Sequence, residues 1–315
     1  MLKNGFKIMI IFSCITLLYV QVVDMMFAIT GGKGGTGKST IATNIAVLLS
    51  KHDKTILLDA DVEEPNDFIL LSTELTKEVP VMTVYPDIIK EKCTYCMRCA
   101  QICPENAIVI VKGKHPVVFD KICSGCGLCF YECKYGAIKR RFRIIGYTYS
   151  SSINENLTLV TGKLVEGEER AYPIVLAAKE RALQEHMRTN AKYLIVDTSA
   201  GTSNSVAAAL KGCEFAIAVT EPTPLGAHDL NLILMLLDRL SIRSYVIINR
   251  AGIGSEEEIL RISKEHNAEI LGRIPYSEKI IESYVRGIPL VLIYPNSEEA
   301  KMLNEIANMI KEGLL

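Results

Sequence analysis

No sign of charge prevails in this 315-residue chain: 35 Lys and Arg stand against 36 Asp and Glu, a formal net charge of -1. That balance excludes a global field drawing the protein to nucleic acid or to an anionic membrane, and it disfavours a DNA-partitioning role. Tryptophan is absent and glutamine occurs only three times, which together with the charged residues leans toward a thermophile's composition. A membrane-length apolar run is also missing. Ile8 to Val23 follows Lys3 and Lys7, but it has 16 residues and is interrupted by Ser13, Cys14, Thr16 and Gln21, short of the ~20 that span hydrocarbon. No small-residue cleavage site follows it. Nor do the cysteines have a disulfide pattern: eight of the ten fall in two regular clusters with the spacing of metal ligands, and a reduced, cytoplasmic compartment suits them. A hydrophobic content of 49% is enough for a real core, and the length suits one large domain plus a small one.

What is present is organised around Gly31-Gly32-Lys33-Gly34-Gly35-Thr36-Gly37-Lys38-Ser39-Thr40. Gly32, Gly37, Lys38 and Ser39 fill the frame G-x-x-x-x-G-K-[ST], in which backbone N–H groups wrap phosphates, the lysine meets the outer ones and the hydroxyl holds Mg2+. Phe27 to Thr30 reads as a buried strand before it, and Ile41, Ile45, Leu48 and Leu49 recur at helical spacing after it. A merely flexible glycine loop is the bland alternative, which the order strand, loop, helix disfavours. With its second lysine, the string K-G-G-x-G-K-[ST] resembles the deviant Walker A motif of the MinD/ParA/Mrp ATPases. The resemblance implies ATP and Mg2+ as ligands. It also implies an ATP-dependent homodimer, in which the signature lysine, Lys33, reaches phosphates held by the other subunit.

Thr55 to Leu58 is a second apolar strand running into Asp59-Ala60-Asp61, and acidic residues at a strand's carboxyl end face the ligand crevice of an open parallel sheet. In the resembled family this is switch I, and Asp61 positions Mg2+ and the attacking water. Tyr193 to Val196 ends in Asp197-Thr-Ser-Ala-Gly201, which has the form of a Walker B strand and switch II. Asp197 would then hold Mg2+ through water and Gly201 would offer its N–H to the terminal phosphate. Lys33, Lys38, Asp61 and Asp197 form the implied catalytic set, with Gly32 to Thr40 around the phosphates. Phe215 to Thr220 and Tyr245 to Ile248 read as further strands, separated by a periodic helix from Asp229 to Leu240. Asn249-Arg250-Ala-Gly252 lacks the aspartate with which related GTPases read guanine, so adenine is favoured. Asn249 is the candidate adenine contact, and Pro275 resembles the family's residue beside the base. The stretch Ser297 to Leu315 has Leu303, Ile306, Ile310 and Leu314 on one face but lacks the basic face of a membrane-binding tail. A helix packed on the sheet is the better reading.

Between residues 86 and 145 the composition changes, and a repeat appears. Cys93, Cys96, Cys99 and Cys103 read C-x2-C-x2-C-x3-C before Pro104, and Cys123, Cys126, Cys129 and Cys133 repeat the spacing 30 residues on. Ala107-Ile108 recurs as Ala137-Ile138, so a supersecondary unit is duplicated. This resembles a bacterial two-cluster ferredoxin, whose fourth cysteine serves the other cluster. The resemblance implies one [4Fe-4S] cluster on Cys93, Cys96, Cys99 and Cys133, and a second on Cys123, Cys126, Cys129 and Cys103. Structural zinc is the alternative, although zinc sites usually pair two C-x2-C units. Lys134 stands where Pro104 stands in the first repeat, which leaves the turn after Cys133 open. Lys139 to Arg143 is either a dock for an acidic redox partner or a solvated charged edge.

The expectation is therefore an α/β fold, a doubly wound, mostly parallel P-loop sheet with an inserted small α+β ferredoxin domain. Residues 25–85 and 146–315 would form the ATPase and 86–145 the insertion. Residues 1–24 would be a spurious extension before a start at Met25 or Met26. A span with Lys3 and Lys7 inside would place the ATPase outside, away from ATP. The resemblances imply ATP hydrolysis coupled to electron transfer through two clusters, in the cytoplasm. The alternative is an iron–sulfur carrier of the Mrp type. The implied partners are a second copy and an unidentified redox or apoprotein partner, with neither nucleic acid nor membrane.

Overall fold

The computed structural model describes residues 24–111 and 113–313. The expected spurious extension, save Asp24, lies outside the described residues, as do Cys14 and Leu314. Eleven strands are present among them: β1 Met25–Thr30, β2 Thr55–Asp59, β3 Val79–Ile88, β4 Ile108–Val109, β5 Val117–Val118, β6 Ile138–Ser152, β7 Leu157–Leu164, β8 Tyr193–Asp197, β9 Phe215–Thr220, β10 Arg243–Ala251 and β11 Glu269–Pro275. Nine of them form one sheet in the order β11-β10-β9-β1-β8-β2-β7-β6-β3, while β4 and β5 pair antiparallel by themselves. From β11 to β7 every pairing is parallel.

Parallel strands joined by helices are covered on both faces, and the burial follows that rule. Phe27, Ile29, Leu57, Tyr193, Ile195, Phe215 and Ile217 gather with the helices Lys38–Ser50 and Glu298–Lys311 in one core cluster. Their neighbours Ala28, Ile56, Leu58, Leu194, Val196 and Ala216 point the other way and are equally buried. Phe27 and Phe215 stack with ring centres 4.9 Å apart, and Tyr245 meets Phe215 edge-on at 5.7 Å.

The helix ends are set by local chemistry. Thr223 Oγ1 accepts the Gly226 N–H at 2.9 Å and Pro224 opens the helix Pro224–Arg239, so this helix begins five residues before the point expected from periodicity. Ser297 caps Glu298–Lys311 through the Ala300 N–H at 3.2 Å. Leu303, Ile306 and Ile310 of that helix are buried in the core, the packing expected of a helix laid on the sheet. No helix among the described residues is long and apolar enough to cross a membrane.

The chain divides into two compact units. One comprises Pro80–Gly146 with Val165–Glu169, and the rest of the described residues form the other.

Candidate functional site

In the larger unit, the carboxyl ends of the central strands carry the phosphate-loop residues and the carboxylates. β1 delivers the loop and Gly37 takes φ +95°, a left-handed conformation that opens the helix Lys38–Ser50. A Cβ at Gly37 would stand 2.3 Å from Asn249 Nδ2. Lys38 Nζ donates to the Lys33 carbonyl at 3.2 Å. Lys33 Nζ donates to Glu221 Oε1 at 3.1 Å.

Behind the loop lies a group of carboxylates. Asp59 and Asp197 are register partners on β2 and β8 and are each 1% exposed, and Asp67 is fully buried. Asp59 accepts backbone N–H groups from Asp61, Asn66 and Asp67 at 3.1 to 3.2 Å. No hydrogen bond of good geometry reaches either oxygen of Asp197 or of Asp67, although the groups lie near enough to perturb one another's charge. Burial pushes the Asp197 carboxyl up to about 7, against the pull of the nearby Ser39 and Lys38. Burial first, then Asp197, holds Asp59 well above the usual carboxylate range, and burial raises Asp61 as well. Unpartnered buried carboxylate oxygens beside a phosphate-loop hydroxyl have the donor chemistry of a Mg2+ site. Among the described residues no three His, Cys, Asp or Glu side chains converge to hold a metal by themselves. Mg2+ needs only one or two protein ligands when phosphates and waters supply the others.

A cleft of about 770 Å³ opens over the loop, a volume in the range of small-molecule sites. Its phosphate end has Gly34, Gly35, Gly37, Lys38, Ser39, Thr40 and Asp61, and its far end has Asn249, Arg250, Ile253, Pro275, Tyr276 and Tyr284. Gly32, Lys33, Thr36, Asp197 and Gly201 do not line it.

Two of the expected residues have partners within the protein. Asn249, the expected adenine contact, lines the cleft, and its amide Nδ2 donates to the Thr36 carbonyl at 2.8 Å where Gly37 lacks a side chain and β10 ends against the loop. Its amide therefore braces the phosphate loop. Gly201, expected to offer its N–H to phosphate, donates here to the Gly31 carbonyl at 3.1 Å. The adjacency of β1 and β8 brings the ends of these two loops together. Glu221, Arg250 and Asp67 were not singled out from the sequence. Arg250 stands in the quoted Asn249-Arg250 string, whereas Glu221 is marked only by its place at the end of β9.

The smaller unit holds two cysteine cavities. One is lined by Cys93, Cys96, Cys99 and Cys133, the other by Cys103, Cys123, Cys126 and Cys129. Each therefore takes three cysteines from one repeat and the fourth from the other. The backbone repeats as well: left-handed residues Tyr95, Met97 and Asn106 are matched 30 residues on by Gly125, Gly127 and Gly136. Cys103 Sγ accepts the Ala107 N–H and Cys133 Sγ the Ala137 N–H, both at 3.3 Å. The carbonyls of Cys103 and Cys133 accept from Asn106 and Gly136, both at 3.2 Å, so the turn after Cys133 matches its counterpart despite Lys134. Phe119 donates to the Ala107 carbonyl and Ile89 to that of Ala137, both at 2.8 Å. Each repeat's leading strand thus pairs with the strand that closes the other.

Residues 27–290 match the family described as the CobQ/CobB/MinD/ParA nucleotide binding domain. An uncharacterized protein of Methanocaldococcus jannaschii is 33% identical over 296 residues, covering 92% of this chain and 98% of that protein. An iron-sulfur cluster carrier protein of the same organism is 25% identical, covering 87% of this chain and 81% of its own length. Among solved structures, the septum site-determining protein MinD of Pyrococcus horikoshii, complexed with Mg-ADP, superposes with a TM-score of 0.58 at 19% identity, over 92% of this chain and 97% of that one. With its phosphate loop, parallel sheet and buried carboxylates in place, the chain belongs to the CobQ/CobB/MinD/ParA nucleotide-binding family and is a P-loop ATPase.

Proposed function

We propose that this ATPase couples nucleotide turnover to electron transfer through two [4Fe-4S] clusters. They would be carried by a ferredoxin-like insertion at 86–145 in an ATPase formed by 25–85 and 146–315. The observation that carries the reading is the crossed cysteine sets, three from one repeat and one from the other, in two separate cavities. Thiolates are the donors that iron–sulfur clusters take, and N–H groups aimed at Cys103 and Cys133 sulfur are the contacts that tune their potentials. Zinc sites usually pair two C-x2-C units, whereas each cavity here takes three cysteines from one repeat and the fourth from the other. When bound, each cluster supplies a one-electron carrier, and the protein's own contribution is to shield and position it.

ATP would be held at the phosphate loop by Lys38 and Ser39, with Asp61 and Asp197 toward Mg2+ and water. Lys33 would act across an ATP-dependent homodimer. Cysteines spaced as metal ligands and the need for ATP both suit the cytoplasm. A second reading, an iron–sulfur carrier, is favoured by the relative of that name. Closed four-cysteine sets favour resident clusters instead. The deciding experiment is anaerobic purification with iron and sulfide analysis and electron paramagnetic resonance after reduction. Two clusters, about eight iron atoms per chain, are expected. They should persist on incubation with an apo-ferredoxin in the presence of ATP. Zinc in place of iron would end the redox reading, and transfer of the iron to the acceptor would establish the carrier.

A further inference from the structure

Lys33 is tethered at both its side chain and its main chain. Its Nζ donates to Glu221 Oε1 at 3.1 Å, and its carbonyl accepts from Lys38 Nζ at 3.2 Å. The other Glu221 oxygen accepts from Arg250 NH1 at 2.6 Å, and Arg250 NH2 donates to the Gly35 carbonyl at 3.0 Å. Exposure differs sharply across this group: the Glu221 side chain is 6% exposed, Lys33 35% and Arg250 42%. Burial favours a raised carboxyl on Glu221, but Lys33 and Arg250 outweigh it and hold the group below its usual value.

Glu221 is a fixed anchor. Its carbonyl accepts the Thr223 N–H at 2.7 Å, Thr220 Oγ1 donates to the Gly226 carbonyl at 2.9 Å, and a Cβ on Gly226 would fall 2.3 Å from the Glu221 oxygen. The turn between β9 and the following helix is therefore closed around it, and only the lysine end of the ion pair is free to move.

We propose that Glu221 is a positioning residue that latches Lys33 to its own subunit until nucleotide binds, with Arg250 keeping the carboxylate paired once the lysine leaves. The inference rests on the reading that Lys33 acts in the partner subunit. An ammonium held at 3.1 Å by its own Glu221 is not available to a second copy. Triphosphate competes for Lys38, and withdrawing Lys38 from the Lys33 carbonyl removes the main-chain tether at the residue that must swing. Departure of Lys33 does not strand a buried carboxylate, because the shorter bond to Arg250 remains. Without that second cation, release would leave a nearly inaccessible anion unpaired. The arrangement therefore suits exchange rather than permanent fixation.

The test compares wild type with Glu221→Gln and, in case that variant folds poorly, Glu221→Asp, which keeps the charge but draws it back by one methylene. Two quantities are read on the full chain. One is the rate of Lys33 modification by an amine-reactive reagent, followed by mass spectrometry relative to exposed Lys301. The other is dimer formation, by sedimentation, against the concentration of a non-hydrolysable ATP analogue. A partly exposed ion pair of this kind predicts about threefold to fivefold faster Lys33 labelling in Glu221→Gln, and a similar drop in the analogue concentration at half-dimerisation. Glu221→Asp should fall between. Equal Lys33 labelling in wild type and both variants overturns the latch, whatever the dimer data. Dimerisation absent in wild type with faster labelling in the variants would instead remove the partner-subunit reading and leave the contact within one subunit intact.

Discussion

Asp59 and Asp197 face each other as register partners on adjacent parallel strands, each 1% exposed. Two anions cannot share such a place without a cation or a proton. Burial pushes Asp197 up to about 7 from an ordinary 3.8. Between those values the folded chain holds a proton that the unfolded chain releases, so stability falls as pH rises through the window. For metal-free protein the calorimetric melting temperature should decline from pH 5 to pH 7.5, by an amount worth about 2–4 kcal/mol. Asp197→Asn should reduce that slope, the remainder coming from Asp59 and Asp67, whose carboxyls burial also raises. Mg2+ requires the ionised form, so Mg-nucleotide should bind more tightly as pH rises across the same range. A wild-type melting temperature that climbs over this interval contradicts the assignment.

Lys38 is 7% exposed and stands at the phosphate end of the cleft, whereas Lys33 does not line it. Lys38→Ala should therefore abolish Mg-ATP binding in titration calorimetry, and Lys33→Ala should bind within about threefold of wild type while losing hydrolysis. Equal loss of binding in the two variants would show that Lys33 serves only the nucleotide of its own subunit.

Lys179 is a buried structural cation. Its Nζ donates to the carbonyls of Ala208, Ala209 and Lys211 at 3.2, 2.5 and 2.5 Å, satisfying the end of the helix Asn204–Leu210. Burial lowers its own affinity for a proton. Lys179→Met keeps the stem and removes the three bonds, leaving carbonyls unpaired, and should cost about 2–4 kcal/mol in urea unfolding. Nucleotide affinity should be unchanged, since Lys179 does not line the cleft. A loss under 0.5 kcal/mol, on the order of a surface change, would refute the capping role.

The segment leading from Asp61 toward the cysteine repeats is pinned within its own unit. Asp67–Leu70 forms a helical turn, Ser72 Oγ donates to the Gly287 carbonyl at 2.7 Å, and Thr76 Oγ1 donates to the Ser150 carbonyl at 3.0 Å. A taut segment transmits a change at Asp61 better than a slack one. If the clusters are resident, their midpoint potentials should differ between Mg-ADP and a non-hydrolysable ATP analogue, and Asp61→Ala should abolish the difference. Linkage then demands that cluster reduction alter ATP affinity by the same factor. Midpoints identical in all conditions would confine ATP to controlling access of a partner.

The order of strands and helices around residues 27–60 and 193–250 was written in the sequence, because apolar runs, a glycine-rich loop and acidic strand ends are local patterns with local causes. The cysteine spacing was equally legible, since a 30-residue duplication carries its backbone with it: Gly125, Gly127 and Gly136 even mark the left-handed positions that Tyr95, Met97 and Asn106 occupy in the first copy. The crossing of the fourth cysteine was implied only by resemblance, and it takes the pairing of each repeat's leading strand with the other's closing strand to produce it. The capture of Lys33 by Glu221 joins residues 188 positions apart. Asp67 comes to rest near Asp197 through a fold of the chain after β2, and the Asn249 amide reaches the phosphate loop. Such contacts depend on which strand lies beside which, and β9 and β8 flank β1 only once the whole parallel sheet has assembled. Sequence therefore determined the chemistry each segment carries, and tertiary structure decided which of those groups meet.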